Sequence, residues 1–349
     1  LGFVIVCIKK NYKMFDLSSY NLNLPVKIGF VGTGYAAKVR AETLQADDRA
    51  LLVAVSGHTS STTAEFGQKF QIEAIDSWQE LVARQDLDLV IVSTVNRDHG
   101  AIARAALEAD KHVVVEEPLA MNVREAEEIL ALAAAKGKML HVEHIELLGG
   151  LHQALRQYLP AIGQVFYAQY RTINPQHPAP RKWTYHQELF GFPFVGAISR
   201  LSRFTDLFGA VETVSCQAHF HNCQSQFYTA CLCAAQLRFK TGAIASVTYG
   251  KGETFWQSAN VFEVGGDRGT LVFDGQAGSL INAEGTQAIE VGPRRGLFAK
   301  DTGMVLDHLI TGAPLYVTPH ASLYALKVAY AAQRSAEIGK SVAIEPKSA

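Results

Sequence analysis

From residue 26 to about 145 the chain alternates short apolar runs with stretches in which apolar residues recur every three or four positions. The runs 26–31, 51–56, 89–94, 112–116 and 139–145 read as buried strands. Segments 35–46, 61–70, 78–84, 98–109 and 122–136 read as helices. Strand and helix in strict turn predict a parallel, doubly wound α/β sheet with right-handed crossovers. After Gly149-Gly150 the rhythm changes. One helix is predicted over 151–159, followed by strand-like runs at 164–172, 211–220, 228–239, 243–250, 259–264, 269–273 and 278–282. Glycine turns such as Lys240-Thr241-Gly242 and Gly265-Gly266-Asp267 separate many of them. This half predicts an α+β domain with one large, mainly antiparallel sheet. Two late helices, near 302–311 and 319–337, are set apart by Pro314 and Pro319. The division that follows is an extension over 1–24, a first domain over 25–148 and a second over 149–345.

The first strand runs into Gly32-Thr33-Gly34-Tyr35-Ala36-Ala37, which fits G-x-G-x-x-G/A. Gly32 permits the tight turn, Gly34 lets the backbone approach a pyrophosphate, and Ala37 allows close helix–strand packing. The helix N-terminus then faces the phosphates. The preceding strand and the βα rhythm after it make this a Rossmann dinucleotide site rather than a bare glycine turn. An NAD site usually ends its second strand on an acid that binds the ribose 2′-hydroxyl. Here that strand ends Val55-Ser56-Gly57-His58-Thr59-Ser60-Ser61, and no acid appears before Glu65. Ser56, His58, Thr59 and Ser60 can hydrogen-bond a 2′-phosphate, and Lys38 and Arg40 on the first helix add charge. NADP(H) is therefore expected, with NAD(H) the weaker alternative; the competing reading is that Ser56–Ser61 only cap the next helix. The fourth strand ends Ser93-Thr94-Val95-Asn96-Arg97-Asp98-His99, placing Thr94, Asn96 and His99 where cofactors sit in such sheets.

Composition narrows the class. The chain has 349 residues, 48% hydrophobic and 19% charged, with a net charge of −1. That balance argues against nucleic-acid and membrane-surface partners. The apolar start, Leu1–Ile8, is too short to span a bilayer and lacks the layout of a secretory signal. Met14 reads as a natural start, with residues 1–13 an upstream extension. Five cysteines, an odd number without a C-x-x-C pair, suggest neither a disulfide framework nor a zinc site and predict a reducing, cytoplasmic setting. His141, Glu143, His144 and Glu146 invite a metal assignment. On a strand, however, the first two share one face and the last two the other, so no metal is expected. They read instead as network residues near a ligand.

The fifth strand ends His112-Val113-Val114-Val115-Glu116-Glu117-Pro118. With the glycine turn, this layout resembles the Gfo/Idh/MocA oxidoreductases, which carry E-K-P there and, in many sugar and inositol dehydrogenases, a D-x-G-x-H segment in the second domain. Glu117 replaces the lysine, and Ser199 and Arg203 stand where the aspartate and histidine would. The segment His141-Val142-Glu143-His144-Ile145-Glu146-Leu147-Leu148 looks like the H-x-E-H-x-E-L-L of biliverdin reductases. Further stretches resemble the cyanobacterial members: Ala179-Pro180 with Trp183–His186, Phe190–Pro193, Ser199-Arg200 with Ser202–Gly209, Gly250–Glu253, Gly266–Leu271, Arg294–Phe298 and Pro314–Val317. Those relatives have E-Y-P where this chain has Glu116-Glu117-Pro118.

The resemblance implies reduction of biliverdin to bilirubin, with hydride delivered to the C10 methine and a proton to a pyrrole nitrogen. It leaves two alternatives, a family oxidoreductase acting on a sugar or related alcohol, and a non-catalytic NADP- or bilin-binding sensor. A flat dicarboxylate needs a slot beside the nicotinamide, cations for the propionates and a proton source. Arg200, by resemblance the catalytic arginine, and Arg203, three residues on, can face one side of a helix. Glu117 takes the family's reacting position beside the cofactor, with Glu116, Pro118 and His144 around it. Arg171, Lys182, Arg294 and Arg295 are candidates for the propionates. Trp183 and Phe194, the latter among Phe190, Phe192, Phe204 and Phe208, are candidates for the slot wall, unless these aromatics are core. The sequence leaves monomer or homo-oligomer open.

Overall fold

The computed structural model describes Tyr20 and residues 22–344. The expected start at Met14, residues 1–13 and Cys7 lie outside the described residues. The first half folds as β1 (Val26–Val31), α1 (Tyr35–Gln45), β2 (Ala50–Ser56), α2 (Ser60–Phe70), β3 (Glu73–Ala74), α3 (Trp78–Ala83), β4 (Leu89–Val92), α4 (Asn96–Glu108), β5 (His112–Val115), α5 (Val123–Lys136) and β6 (Leu140–Val142). Its parallel sheet has the order β3-β2-β1-β4-β5-β6. β4 and β5 are buried throughout, as strands covered by helices on both faces must be. Side chains set the helix starts: Thr59, Ser77 and Asn122 accept backbone N–H bonds as N-caps, and Gly137 ends α5 at φ +60°. The order reverses at β1, whose neighbours are β2 and β4. A crevice opens there at the strands' C-terminal ends.

The second half continues with α6 (Gly150–Tyr158), β7 (Val165–Pro175), α7 (Gln187–Phe190), α8 (Pro193–Gly196), α9 (Ser199–Phe208), β8 (Val211–His221), β9 (Ala230–Phe239), β10 (Ile244–Gly252), β11 (Ala259–Gly266), β12 (Gly269–Asp274), β13 (Ala277–Asn282), β14 (Gly285–Glu290), α10 (Leu297–Thr311), α11 (Pro319–Ile338) and β15 (Val342–Ala343). Nine strands form one sheet, β14-β13-β12-β11-β7-β10-β9-β8-β15, antiparallel except for the parallel pair β7/β10. Alternation sets its faces. On β9, Cys231, Cys233, Ala235 and Leu237 point inward while Leu232, Ala234, Gln236 and Arg238 point out. Phe204 of α9 stacks on Phe262 of the inner face, with ring centroids 5.1 Å apart.

Three expectations change. The strand expected over 139–145 stops at Val142. The Glu143 carboxylate there accepts the N–H of Ile145, and a single 3-10 turn, Ile145–Leu147, follows. β14 carries one buried apolar residue, Ile289, and so has no apolar pattern to read. A single cut after residue 148 also misses a return of the chain. α10 packs on α1, and its Val305, Leu306 and Leu309 share a core with Val26, Ile28 and Phe30 of the first sheet.

Candidate active site

Gly32, at φ +116°, leaves no room for a side chain, because a Cβ would collide with the carbonyl oxygen of Ser93. Gly34 caps α1 without a side-chain bond, and a Cβ on it would meet nothing within 4 Å. The first N–H groups of α1 therefore face open space, which suits a pyrophosphate. A cleft of about 740 Å³ starts at this turn. Gly32, Thr33, Gly34, Tyr35 and Ala36 form one end of it. Ser56 and His58 flank it at the end of β2, Thr94, Asn96 and His99 at the β4–α4 turn, and Glu116 and Glu117 after β5. Trp183 reaches it from the second half. Ala37 lies beneath, fully buried against the sheet. The cradle fits a dinucleotide.

Several expected cofactor contacts have other partners. The Thr59 side chain caps α2, accepting from Thr62 N at 3.4 Å, and Ser60 is the first residue of that helix. Asn96 Nδ2 donates to the Phe190 carbonyl at 3.0 Å and so ties the cleft to the second half. His99 is buried between two carbonyls, with Nδ1 2.8 Å from Pro118 O and Nε2 3.3 Å from Thr94 O. Burial pushes its pKa down. Arg40, expected to add charge for a 2′-phosphate, is instead fully buried. Its Nε donates to Glu116 at 2.9 Å and its Nη1 to Asp301 at 2.5 Å. Asp301 also meets His141 Nε2 at 2.7 Å and Tyr316 OH at 2.8 Å. Burial works against the Asp301 carboxylate, but Arg40 and His141 outweigh it and hold its pKa well below the usual range. Glu143 is the reverse case. Burial, then Glu116 and Glu117, push its pKa well up.

A second cavity, of about 490 Å³, lies between the turn after β6 and the inner face of β7 and β10. Tyr170, Thr172 and Tyr249 line it together with Arg200 and Arg203 of α9. Arg200 donates from Nε to Thr172 Oγ1 and from Nη1 to Ser199 Oγ, each at 3.1 Å, and its guanidinium lies over the Tyr249 ring, 5.5 Å from the centroid. These partners are neutral. Burial opposes its charge, yet the surrounding tyrosines, Glu146 and Glu117 favour it. Arg203, 2% exposed, donates to Glu146 at 2.5 Å, while its Nε and Nη1 are buried without a hydrogen-bond partner among the described residues. Orphaned guanidinium donors at a cavity wall are an acceptor site for a ligand. Arg294, largely exposed, closes on the other oxygen of Glu146. Asp206 pairs with His152 and Arg156 rather than with Arg200 or Arg203.

Other expected bilin contacts are not brought together. Tyr170 and Thr172 face the cavity, so Arg171 between them points to the opposite, exposed face of the sheet. Lys182 and Arg295 are exposed, and Phe194 is fully buried in the core. Sequence reasoning gave no role to Lys251. Its Nζ donates to the Thr184 carbonyl and lies 3.9 Å from the Phe190 ring centroid and 4.7 Å from that of Tyr185. Burial pulls its pKa down to about 8. The β10 register offers the signal, since Tyr249 and Lys251 share one face. Among the described residues no group of three or more His, Cys, Asp or Glu is placed to hold a metal, and no helix is long and apolar enough to cross a membrane.

A glycine-cradle cleft beside an arginine-lined sheet cavity agrees with the sequence comparisons. The chain belongs to the Gfo/Idh/MocA oxidoreductase family, whose NAD-binding Rossmann profile matches residues 26–144 and whose C-terminal alpha/beta domain profile matches residues 160–344. It is similar to the biliverdin reductase of Synechocystis sp. PCC 6803, whose crystal structure is a complex with biliverdin and NADP+. The two are 52% identical, with a TM-score of 0.88 over 90% of this chain and 99% of that one. Mouse biliverdin reductase A is 31% identical over 185 residues and the human enzyme 29% identical over 193. The chain spans 59% of the length of each of these two.

Proposed function

We propose that this chain is an NADPH-dependent biliverdin reductase, forming bilirubin by hydride transfer to the C10 methine and protonation of a pyrrole nitrogen. The observation that carries this reading is the tyrosine-walled cavity in which Arg200 has only neutral hydrogen-bond partners and Arg203 keeps two orphaned donors. A cation with only neutral partners beside a second with unsatisfied donors suits a planar dicarboxylate. The 52% identity to a reductase crystallised with biliverdin and NADP+ supports the same reading. Glu117, Ser199 and Arg203 in place of Lys, Asp and His remove the acid–base apparatus of the sugar dehydrogenases.

The Gly32–Ala36 turn and the N-terminus of α1 would hold the pyrophosphate, with Ser56 and His58 at the 2′-phosphate. The absence of an acid there favours NADP(H) over NAD(H). When bound, the reduced nicotinamide supplies the hydride. Arg200 stays charged and is a poor acid. Its fixed fork positions the bilin and stabilises negative charge that develops on it. Arg203, held by Glu146, presents its free donors to a propionate. Glu117 lines the cleft on the nicotinamide side and gives the proton. The four free cysteines among the described residues suit work in a reducing cytoplasm. The test is a visible-spectrum assay of purified protein with biliverdin and either NADPH or NADH. Loss of the long-wavelength biliverdin band with growth of a bilirubin band, faster with NADPH, is expected. Unchanged spectra with both cofactors would reject the reading.

A further inference from the structure

Behind the cofactor cleft lies a smaller cavity of about 280 Å³, bounded by His144, Ser202, Asp206, Tyr316, Thr318 and Ser322. Thr318 and Ala321 on its rim are exposed, so it opens to solvent. Its hydroxyl-rich wall and volume suit several waters. One imidazole separates the two cavities. His144 is 1% exposed, with Nε2 2.8 Å from Ser322 Oγ at the rear wall and Nδ1 2.6 Å from Glu117 Oε2 at the cleft. Its backbone N–H donates to Tyr316 OH at 3.0 Å, which anchors the turn that carries the ring. Nδ1 and Oε2 are buried in this ion-pair contact, and neither has a hydrogen-bond partner among the described residues.

We propose that Ser322, His144 and Glu117 form a proton relay that draws on the rear cavity to resupply the reduction. The proposal rests on the reductase reading above. Each bilin reduced consumes one hydride and one proton. Glu117 releases its carboxyl proton toward the pyrrole nitrogen and becomes a carboxylate. His144 takes the Ser322 hydroxyl proton at Nε2 and passes its Nδ1 proton to Glu117. Cavity water restores the Ser322 proton, and rotation of the neutral ring turns its N–H back toward Glu117 for the next turnover. One solvent proton enters per turnover, and the protein ends as it began. The relay is legible only in three dimensions, because its members come from the end of β5, the turn after β6 and the first turns of α11.

Two measurements decide it. In the ligand-free protein, nitrogen-15 NMR at one neutral pH reads which ring nitrogen of His144 carries the proton. Glu117 faces one side of the ring, Asp206 lies across the rear cavity, and Glu143 and Tyr316 flank the backbone; Glu117 in turn interacts with Glu143 and Arg200. Glu117→Ala removes the acceptor beside Nδ1, so the wild-type Nδ1–H signal should give way to Nε2–H. An unchanged tautomer overturns the relay. In turnover with biliverdin and NADPH, Ser322→Ala should lower kcat about tenfold at unchanged KM, enlarge the solvent deuterium isotope effect and be partly rescued by added imidazole. An active wild type with an unimpaired Ser322→Ala overturns the relay alone. A wild type inert toward biliverdin overturns the reductase reading and the relay with it.

Discussion

Arg200 and Arg203 share a face of α9, as their spacing predicts, but their surroundings differ. Arg200 rests on hydroxyls and a tyrosine ring, whereas Arg203 is anchored by Glu146. Arg200→Ala should cut biliverdin turnover at least about tenfold with the circular dichroism spectrum unchanged. Arg200→Lys should recover little of it, because an ammonium cannot bond Thr172 and Ser199 in the fork geometry and stack on Tyr249 as well. Near-normal turnover in Arg200→Ala would remove it from the site. The helical spacing of the two arginines was readable from the chain. Their partners were not, because Glu146 lies 57 residues away and Thr172 lies 28 residues away. The misplacement of Arg171 has a similar cause. Strand alternation says that Arg171 opposes Tyr170 and Thr172, but only the helices packed on the sheet decide which face is inside.

At the scale of elements, the segment 183–190 links the two halves. Trp183 reaches the cofactor cleft, the Phe190 carbonyl holds Asn96, and Lys251 of β10 holds the Thr184 carbonyl from below. The Lys251 amine spends its charge on aromatic faces rather than on a carboxylate. Lys251→Met keeps the bulk and removes the donor and the charge. It should weaken NADPH binding several-fold in a fluorescence titration by loosening Trp183. Because burial pulls the Lys251 pKa down to about 8, wild-type affinity should decline as pH rises through 8, while the variant stays flat across that range. The βα rhythm made the first sheet legible strand by strand. The return of α10 to that sheet left no local mark, since an amphipathic helix does not record which face it covers.

For the whole molecule, the Arg40 cluster joins α1, β6 and α10 and so locks the C-terminal return onto the nucleotide-binding sheet. Asp301→Asn leaves the Arg40 charge buried and short of its nearest anion, so a loss of about 3–5 kcal/mol is expected in urea unfolding at neutral pH. The Asp301 pKa is depressed in the fold, so its contribution is full above about pH 3.9, the value for an unfolded aspartate, and fades as the pH falls below it. The gap between variant and wild type should narrow over that range. Glu143 has the opposite sign. Its raised pKa means that the folded state keeps a proton the unfolded chain has lost above about pH 4.3. Wild-type stability therefore declines with rising pH from there by up to roughly 1.4 kcal/mol per pH unit until Glu143 ionises. Glu143→Gln, which can both accept from Ile145 N and donate to Glu116, should remove that slope and be at least as stable at neutral pH. A steeper slope in the variant would contradict this assignment.

The most direct test of the central claim follows the hydrogen itself. Biliverdin is reduced by the purified protein with NADPH carrying deuterium at the transferring face of nicotinamide C4, and the product is read by mass spectrometry and proton NMR. The account predicts bilirubin with one deuterium, located at C10. Bilirubin without deuterium at C10, or no bilirubin at all, would contradict it.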